Sequence, residues 1–204
     1  MSTAQTPLQV GRRLGVLLVG AGGQGVLTAA RLLGDAAHGA GIPVVVGQLH
    51  GMSQRGGSVQ CSVLLGAGRS SFLTGGADVV VGFEPLEVLR VRDQLRADTH
   101  VVLNRGTMVP YVLSKAGRTY PPFDDIVAEL AAITRHVTVV DGPRLLPDAG
   151  AGRTLNVLML GALAGLGLLP FDSKALWLAV AAHSPAGFVD ANRRALEAGM
   201  RGIA

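Results

Sequence analysis

The first apolar run of the chain, Leu14 to Val19, leads into a glycine-rich turn and then into a helical pattern. Between Val26 and Ala37 apolar residues occur in pairs, at the spacing of a wide buried stripe on a helix. The segment Gly39 to Pro43 ends that helix, and the run Val44 to Val46 follows it. The pattern predicts a strand, a helix and a second strand, which is a βαβ opening.

The rest of the chain continues to alternate between short apolar runs and helical patterns. Strands are predicted at Ser58 to Leu65, Asp78 to Phe83, His100 to Asn104 and Val137 to Val140. Helices are predicted from Glu84 to Leu95, from Asp124 to Thr134, from Leu155 to Leu166, around Trp177 with Ser173 as the cap, and from Phe188 to Met200. Continuous apolar strands are typical of a sheet that is covered on both faces. We therefore expect an α/β fold with three layers, a mostly parallel Rossmann-like sheet flanked by helices.

The helix predicted at Leu155 to Leu166 is hydrophobic nearly all round. Such a helix is buried, either in the core or at a subunit interface. It lies in a C-terminal helical portion, residues 153–204, of a single domain that we place at residues 14–204. The first 13 residues are predicted to form a flexible tail, since they are polar and lack the apolar core of a signal peptide. Because the longest apolar run also falls short of the roughly 20 residues of a spanning helix, we expect a cytoplasmic protein without a membrane partner.

Composition narrows the classes of partner. The net charge is +4, but the basic residues are spread along the chain, aromatics are only 4%, and no nucleic-acid-binding motif occurs, so we expect no nucleic acid partner. Charged residues are only 16% of the chain and the mean hydropathy is +0.41. These values favour a surface that is partly apolar and covered by another chain, and they leave self-association open. The single cysteine, Cys61, excludes a cysteine-ligated iron–sulfur cluster or zinc ribbon within this chain, and no metal site is predicted.

The glycine turn is the first candidate site. It combines Gly20, Gly22, Gly23, Gln24 and Gly25 between a strand and a helix. Glycine tolerates positive φ and lets backbone N–H groups at a helix N-terminus approach an anion, so the default ligand is a phosphate or pyrophosphate. The alternative is that the turn binds nothing and only packs the helix tightly on the sheet.

An NAD site would need an acidic residue after the second strand to hold the ribose hydroxyls. No Asp or Glu occurs between Asp35 and Asp78, which argues against NAD. NADP stays a weaker option, with Arg55 as the partner of its extra phosphate. A catalytic Tyr-x-x-x-Lys pair would support an independent reductase, but Tyr111 and Lys115 lie in a segment interrupted by proline.

The polar segment after the second strand is the other candidate site. It reads His50-Gly51-Met52-Ser53-Gln54-Arg55-Gly56-Gly57, and it follows the carboxyl end of a strand, where open α/β sheets bind ligands. Arg55 offers a planar fork of donors for a carboxylate or phosphate, and Gly56 lets a ligand come close. With the turn, the residues Ser53, Gln54, Arg55 and Gly56 complete the predicted cofactor-binding set. The alternative is a loop whose polar groups bind one another and a neighbouring subunit.

These two segments, read together as GAGGQGV at Gly20 to Val26 and HGMSQRGGSV at His50 to Val59, resemble a known family. They are similar to the gamma subunit or domain of the 2-oxoacid:ferredoxin oxidoreductases, and closest to the small (beta) subunit of indolepyruvate ferredoxin oxidoreductases. The stretch GFEPLE at Gly82 to Glu87, Asn156 and the segment Phe188 to Gly199 add to the likeness. The resemblance covers about residues 14 to 200.

The resemblance implies a part of a larger enzyme that oxidatively decarboxylates a 2-oxoacid to an acyl-CoA and passes electrons to ferredoxin or a similar acceptor. In that family a large partner subunit holds thiamine diphosphate, and the iron–sulfur clusters also lie outside this unit. This chain alone would then hold no cofactor and catalyse no reaction, and we name no catalytic residue. Its implied role is to build the assembly, with a share in placing CoA or closing the active site. The competing hypotheses are a scaffold subunit that binds no small molecule and an independent NADP-dependent reductase.

Overall fold

The computed structural model describes residues 13–50, 57–66, 73, 75–108, 119–146 and 151–203. Within these residues the chain forms a six-stranded sheet. Its strands are β1 (Leu14–Ala21), β2 (Val44–His50), β3 (Ser58–Leu65), β4 (Val79–Gly82), β5 (His100–Asn104) and β6 (His136–Val140). In space they follow the order β2-β3-β1-β4-β5-β6.

Five of the six strands run in one direction, so the prediction of a mostly parallel sheet is confirmed. The exception is β3, which is antiparallel to β1 on one side and to β2 on the other. The βαβ opening is present, since β1 and β2 run in the same direction and α1 joins them, but β3 lies between the two strands. The chain leaves β2 and pairs straight back along it, and antiparallel neighbours can be joined by a short connection whereas parallel ones cannot.

Helices cover both faces of the sheet and make the predicted three layers. They are α1 (Val26–Gly39), α2 (Pro85–Arg90), α3 (Phe123–Ala131), α4 (Gly142–Leu145), α5 (Ala151–Gly165), α6 (Ser173–His183) and α7 (Val189–Arg201). Side chains of β1 alternate between the two faces: Val16 and Leu18 pack with α1, α5, α6 and α7, whereas Leu17 and Val19 pack with α2 and α3. The larger core thus lies on the α1 and α5 face.

The apolar helix predicted at Leu155 to Leu166 is α5, and it is buried within its own chain. Helix α7 packs over α5, and the two helices cross at Gly161 of α5 and Gly199 of α7. A Cβ atom on Gly161 would meet the carbonyl oxygen of Leu196, and one on Gly199 would meet the carbonyl oxygen of Leu158. The two backbones touch at a crossing that only glycine permits. Of the two options for this helix, the structure therefore favours the core.

Several helix ends differ from the prediction. Helix α5 begins at Ala151 rather than Leu155, and α3 ends at Ala131 rather than Thr134. The cap of α6 is Asp172 rather than Ser173, and its carboxylate accepts a hydrogen bond from the backbone N–H of Ala175 at 2.9 Å. The negative charge of a carboxylate at that position also interacts favourably with the positive end of the helix dipole, whereas a hydroxyl is uncharged. The helix predicted from Glu84 to Leu95 ends at Arg90, and a short 3₁₀ turn follows it. No described helix is long and apolar enough to cross a membrane. The predicted flexible tail lies outside the described residues, apart from Arg13.

Candidate functional site

The glycine turn leaves β1 and starts α1 in a backbone conformation that glycine makes possible. Gly23 has φ +104° and Gly25, the residue before α1, has φ +81°. Gly20 has no space for a side chain, since a Cβ there would lie 2.8 Å from both Gln24 Oε1 and Phe83 Cβ. The first turn of α1 holds no acidic residue and receives no hydrogen bond from a capping side chain. No side chain among the described residues caps the N–H groups of this first turn, so they can bind a solvent molecule or an anion.

Gln24 stabilises this turn from the inside. Its side chain is 5% exposed. Its Oε1 accepts the N–H of Ala21 at 2.7 Å, and its Nε2 donates to the carbonyl of Phe83 at 3.1 Å. We predict Gln24 as a cofactor-binding residue from the sequence, and the structure places its amide on the backbone of β1 and β4. A ligand of the turn would therefore contact its backbone groups and not the Gln24 amide.

The polar segment after β2 begins and ends beside the turn. Ala21, at the carboxyl end of β1, pairs with Ser58, and His50 pairs with Val59. The N–H of Gly22 donates to the carbonyl of Gly57 at 2.9 Å. The two candidate segments predicted from the sequence thus meet at one edge of the sheet. The predicted ligand residues Ser53, Gln54, Arg55 and Gly56 lie outside the described residues, as do Tyr111 and Lys115.

A cleft of about 240 Å³ opens at this edge, between the turn and the carboxyl ends of β5 and β6. Its lining is mainly apolar side chain and backbone, from Gly23, Gln24, Asn104, Gly106, Thr107, Met108, Gly142, Pro143, Leu146 and Leu155. The carboxyl ends of parallel strands are where open α/β sheets bind ligands. The glycine turn is therefore one side of a cleft, and Gly106 to Met108 form part of another.

Two asparagines border this cleft or the turn. Asn104 holds the loop after β5: its Oδ1 accepts from Gly106 N at 3.2 Å, and its Nδ2 donates to Gly106 O at 3.1 Å and to Phe83 O at 2.9 Å. Asn156, 9% exposed, packs on the turn so closely that a Cβ on Gly25 would lie 3.1 Å from its own Cβ. The buried Oδ1 of Asn156 has no hydrogen-bond partner among the described residues. Asn156 therefore fixes the position of the α1 N-terminus by contact.

Next to the cleft lies a buried carboxylate, Glu84, two residues after the end of β4. It is 0% exposed and accepts hydrogen bonds from the hydroxyl of Tyr120 at 2.5 Å and from the N–H of Glu87 at 3.1 Å. Burial raises the pKa of the Glu84 carboxyl above its ordinary value, and these hydrogen bonds act in the opposite direction. Burial and the Glu84 carboxyl in turn raise the pKa of Tyr120.

Two other cavities lie away from the glycine turn. One of about 330 Å³ borders Leu17, Gln60 and Arg90, and one of about 380 Å³ lies between α1 and the edge strand β2. Neither contains a candidate residue from the sequence. Among the described residues no group of three or more His, Cys, Asp or Glu side chains could hold a metal ion. Cys61 is buried in the core, and burial raises the pKa of its thiol to about 11, so it stays a protonated thiol at neutral pH.

Sequence reasoning found the turn and missed the opposite side of the cleft. Asn104 ends β5 and Gly106 follows it, and Gly142 and Pro143 follow β6, so each pair stands at the carboxyl end of a strand. The carboxyl end of a strand can be recognised in the sequence, because the same position identified the segment after β2 as a candidate site. Glu84 also lies just past the carboxyl end of a strand, β4, but its burial left no signal in the sequence. A Glu before Pro reads as an ordinary helix start, and nothing in the sequence indicates that its carboxylate is buried.

Comparison with known proteins gives one consistent result. The family model described as pyruvate ferredoxin/flavodoxin oxidoreductase matches residues 15–202. The chain is 37% identical over 188 residues to indolepyruvate oxidoreductase subunit IorB of Archaeoglobus fulgidus, which covers 92% of this chain and 94% of that protein. The corresponding subunit of Methanothermobacter thermautotrophicus is 34% identical over 185 residues, covering 90% of this chain and 94% of that protein.

Solved structures share the fold at lower identity. The gamma subunit of a keto/oxoacid ferredoxin oxidoreductase from Geobacter sulfurreducens has a TM-score of 0.67 at 19% identity, covering 94% of this chain and 97% of the other. Pyruvate oxidoreductase subunit PORC from Thermotoga maritima has a TM-score of 0.66 at 23% identity, covering 95% and 98%. A 2-oxoglutarate:ferredoxin oxidoreductase from Magnetococcus marinus, solved with 2-oxoglutarate, coenzyme A and succinyl-CoA, has a TM-score of 0.69 at 17% identity, and the match covers 94% of this chain and 30% of that longer chain.

Proposed function

The chain belongs to the pyruvate ferredoxin/flavodoxin oxidoreductase family, and on that premise we propose that it is the small subunit of a multi-chain 2-oxoacid:ferredoxin oxidoreductase. The complete enzyme oxidatively decarboxylates a 2-oxoacid, of the indolepyruvate or pyruvate kind, to an acyl-CoA and delivers the electrons to ferredoxin or a similar acceptor. The relatives that cover nearly the whole chain are named as subunits, which supports this role. The chain is inactive without its large partner.

The partner holds thiamine diphosphate and the iron–sulfur clusters. The chemistry of the described residues supports this division. A cluster needs several cysteine thiolates, and this chain has one cysteine, which is buried and protonated. A catalytic metal would need convergent His, Cys, Asp or Glu side chains, and the described residues offer no such group. The chain supplies a surface and a cleft instead.

The cleft at the carboxyl edge is the part of this chain that takes a share in the reaction, by placing the phosphate-bearing end of CoA. One observation supports this proposal above the others: the N-terminal turn of α1 has no acid and no capping side chain, and it opens beside a cleft that Gly23 lines. The helix dipole and the backbone N–H groups of the first turn of α1 favour an anion there. The N–H groups of Gly22 and Gln24 already donate to the carbonyls of Gly57 and Ala21. Ser53, Gln54, Arg55 and Gly56 complete the proposed set, with Arg55 as the charged partner of a phosphate or of the substrate carboxylate.

The experiment that tests this function is reconstitution with the large subunit. We would produce the large subunit with and without this chain and measure oxidation of indolepyruvate and pyruvate with a low-potential dye as acceptor, over a range of CoA concentrations. The proposal expects CoA-dependent turnover only when both chains are present. Full turnover by the large subunit alone, with the same KM for CoA, would contradict it.

The Arg55→Ala variant separates the catalytic share of the chain from a scaffold role. The proposed function expects the variant chain to join the complex and to raise the KM for CoA or for the 2-oxoacid. A complex with Arg55→Ala that assembles and turns over like the wild type would support the scaffold hypothesis instead.

A further inference from the structure

The side-chain amide of Asn104 lies at the centre of the carboxyl edge of the sheet. Asn104 is the last residue of β5 and is 2% exposed. Its Nδ2 donates to the carbonyl of Phe83 at 2.9 Å and to that of Gly106 at 3.1 Å, and its Oδ1 accepts from the N–H of Gly106 at 3.2 Å. Both hydrogens of the amide are therefore donated within the chain, and the group binds backbone rather than donating to a ligand.

The carbonyl of Phe83 joins this amide to the glycine turn. It accepts from Asn104 on one side and from Gln24 Nε2 at 3.1 Å on the other, so both of its lone pairs are used. The N–H of Phe83 donates to the carbonyl of Val19 in β1 at 2.8 Å, which fixes the same residue to the middle of the sheet. Gln24 in turn accepts the N–H of Ala21. A continuous series of hydrogen bonds thus connects the glycine turn to the loop after β5.

The loops after β5 and β6 both pack directly on the Asn104 amide, and each does so with a glycine. A Cβ atom on Gly106 would lie 3.1 Å from Asn104 Nδ2 and 3.2 Å from Pro143 Cγ. A Cβ atom on Gly142 would clash with Asn104 Oδ1. Gly106, Gly142 and Pro143 all line the cleft. The position of the amide therefore determines where these two loops lie.

Burial alone does not require an amide at the end of β5. The three residues before it, Val101 to Leu103, are apolar and buried. An apolar side chain at position 104 would leave the N–H and the carbonyl of Gly106 without these partners, and unpaired polar groups away from water cost free energy. What asparagine offers at this position is one rigid group that binds two separate segments of backbone.

We propose that Asn104 is a positioning residue that holds the loops after β5 and β6 at a set distance from the glycine turn, and that it thereby sets the affinity of the complete enzyme for CoA. This inference rests on the proposed function of the cleft. Asn104 acts through the backbone of Phe83 and Gly106, and through its contact with Gly142.

The variant Asn104→Ala tests the inference, with Asn192→Ala as its matched control. Each change removes one buried amide, but the Asn192 amide donates to Ser184 Oγ at 2.8 Å, between α7 and the end of α6, and does not line the cleft. In the isolated chain we expect hydrogen exchange at the Gly106 amide to rise about tenfold in Asn104→Ala, the equivalent of roughly 1.4 kcal/mol, and to stay within twofold in Asn192→Ala. Exchange in the central strand β1 serves as the reference for global stability in both variants.

In the reconstituted enzyme we expect Asn104→Ala to raise the KM for CoA about fivefold and to leave kcat within twofold, and Asn192→Ala to change neither. Unchanged exchange at Gly106 would overturn the attachment of the loop, and this result does not depend on the proposed function. Faster exchange with an unchanged KM for CoA would overturn the positioning role. A wild-type complex that turns over without CoA would overturn the proposed function and the effect on CoA affinity, while the exchange result would still decide whether Asn104 holds the loop.

If Asn104→Ala does not fold, Asn104→Ser takes its place, with Asn192→Ser as the control. A hydroxyl carries one hydrogen in place of two, so it cannot donate to both carbonyls. We then expect a rise of about two- to threefold in the KM for CoA, without loss of kcat, and faster exchange at Gly106. No change in either the KM or the exchange would overturn the inference.

Discussion

A single added charge at the start of α1 tests whether the glycine turn binds an anion. Thr28 is an exposed residue in the first turn of α1, which contains no acid. The change Thr28→Glu places a carboxylate where helices favour one, so the isolated chain should gain about 0.3 to 1 kcal/mol of folding stability. The same carboxylate would repel a phosphate bound at the turn. The charge therefore acts in opposite directions on folding and on binding.

The repulsion can be estimated from elementary electrostatics. Two unit charges about 4 Å apart in water interact by about 1 kcal/mol, and more where part of the surroundings is protein. A penalty of about 1 kcal/mol corresponds to about a fivefold increase in the KM for CoA. Salt screens charges at this exposed position, so the increase should shrink at about 1 M salt, where the screening length is about 3 Å.

The assay compares Thr28→Glu with Thr28→Gln, which has the same length and no charge. We would measure thermal unfolding of the isolated chains and the KM for CoA of the reconstituted enzymes at low and high salt. The expected result is a more stable Glu variant with a KM about five times that of the Gln variant at low salt. Equal KM values for the two variants at low salt, with the stability gain present, would refute anion binding at the turn.

Three further predictions concern the fold. Gly161→Ala should destabilise the chain by about 1 to 3 kcal/mol in urea, because its Cβ would meet a carbonyl of α7, whereas Gly39→Ala, in open space at the end of α1, should change stability by less than about 1 kcal/mol. Asp172→Ala should cost about 1 kcal/mol by removing the α6 cap, and a larger loss in Ser173→Ala would contradict the assigned cap. Burial and a neighbouring imidazole lower the pKa of His100 in the folded chain, so folding stability should fall as the pH drops below about 6.5, and His100→Gln should remove part of that loss in denaturation curves at pH 7 and pH 5.

Local patterns predicted the elements of the fold well, and the neighbours of each strand poorly. The bounds of β3 and β5 agree with the prediction at both ends, because each is an apolar run between clear turn signals. The place of β3 between β2 and β1 was not predictable in the same way. Which strand lies beside which depends on contacts between distant parts of the chain, and a local hydrophobic period carries no information about them.

The candidate site shows the same division. The glycine turn could be predicted because its special φ values leave a mark in the sequence, at Gly23 and Gly25. The wall from Gly106 to Met108 follows the carboxyl end of β5, which the sequence does show. The burial of Glu84 and its hydrogen bond to Tyr120 are tertiary features and leave no mark. A glutamate before a helix looks the same in the sequence whether its carboxylate is buried or is an exposed cap.

The most direct test of the proposed small-subunit role in a 2-oxoacid oxidoreductase is purification of the tagged chain from its own source. The co-purifying proteins would be identified by mass spectrometry, and the sample assayed for CoA-dependent oxidation of 2-oxoacids. We expect one large companion that binds thiamine diphosphate and carries iron–sulfur clusters, together with that activity. A chain that purifies alone and binds NADPH would contradict the small-subunit role.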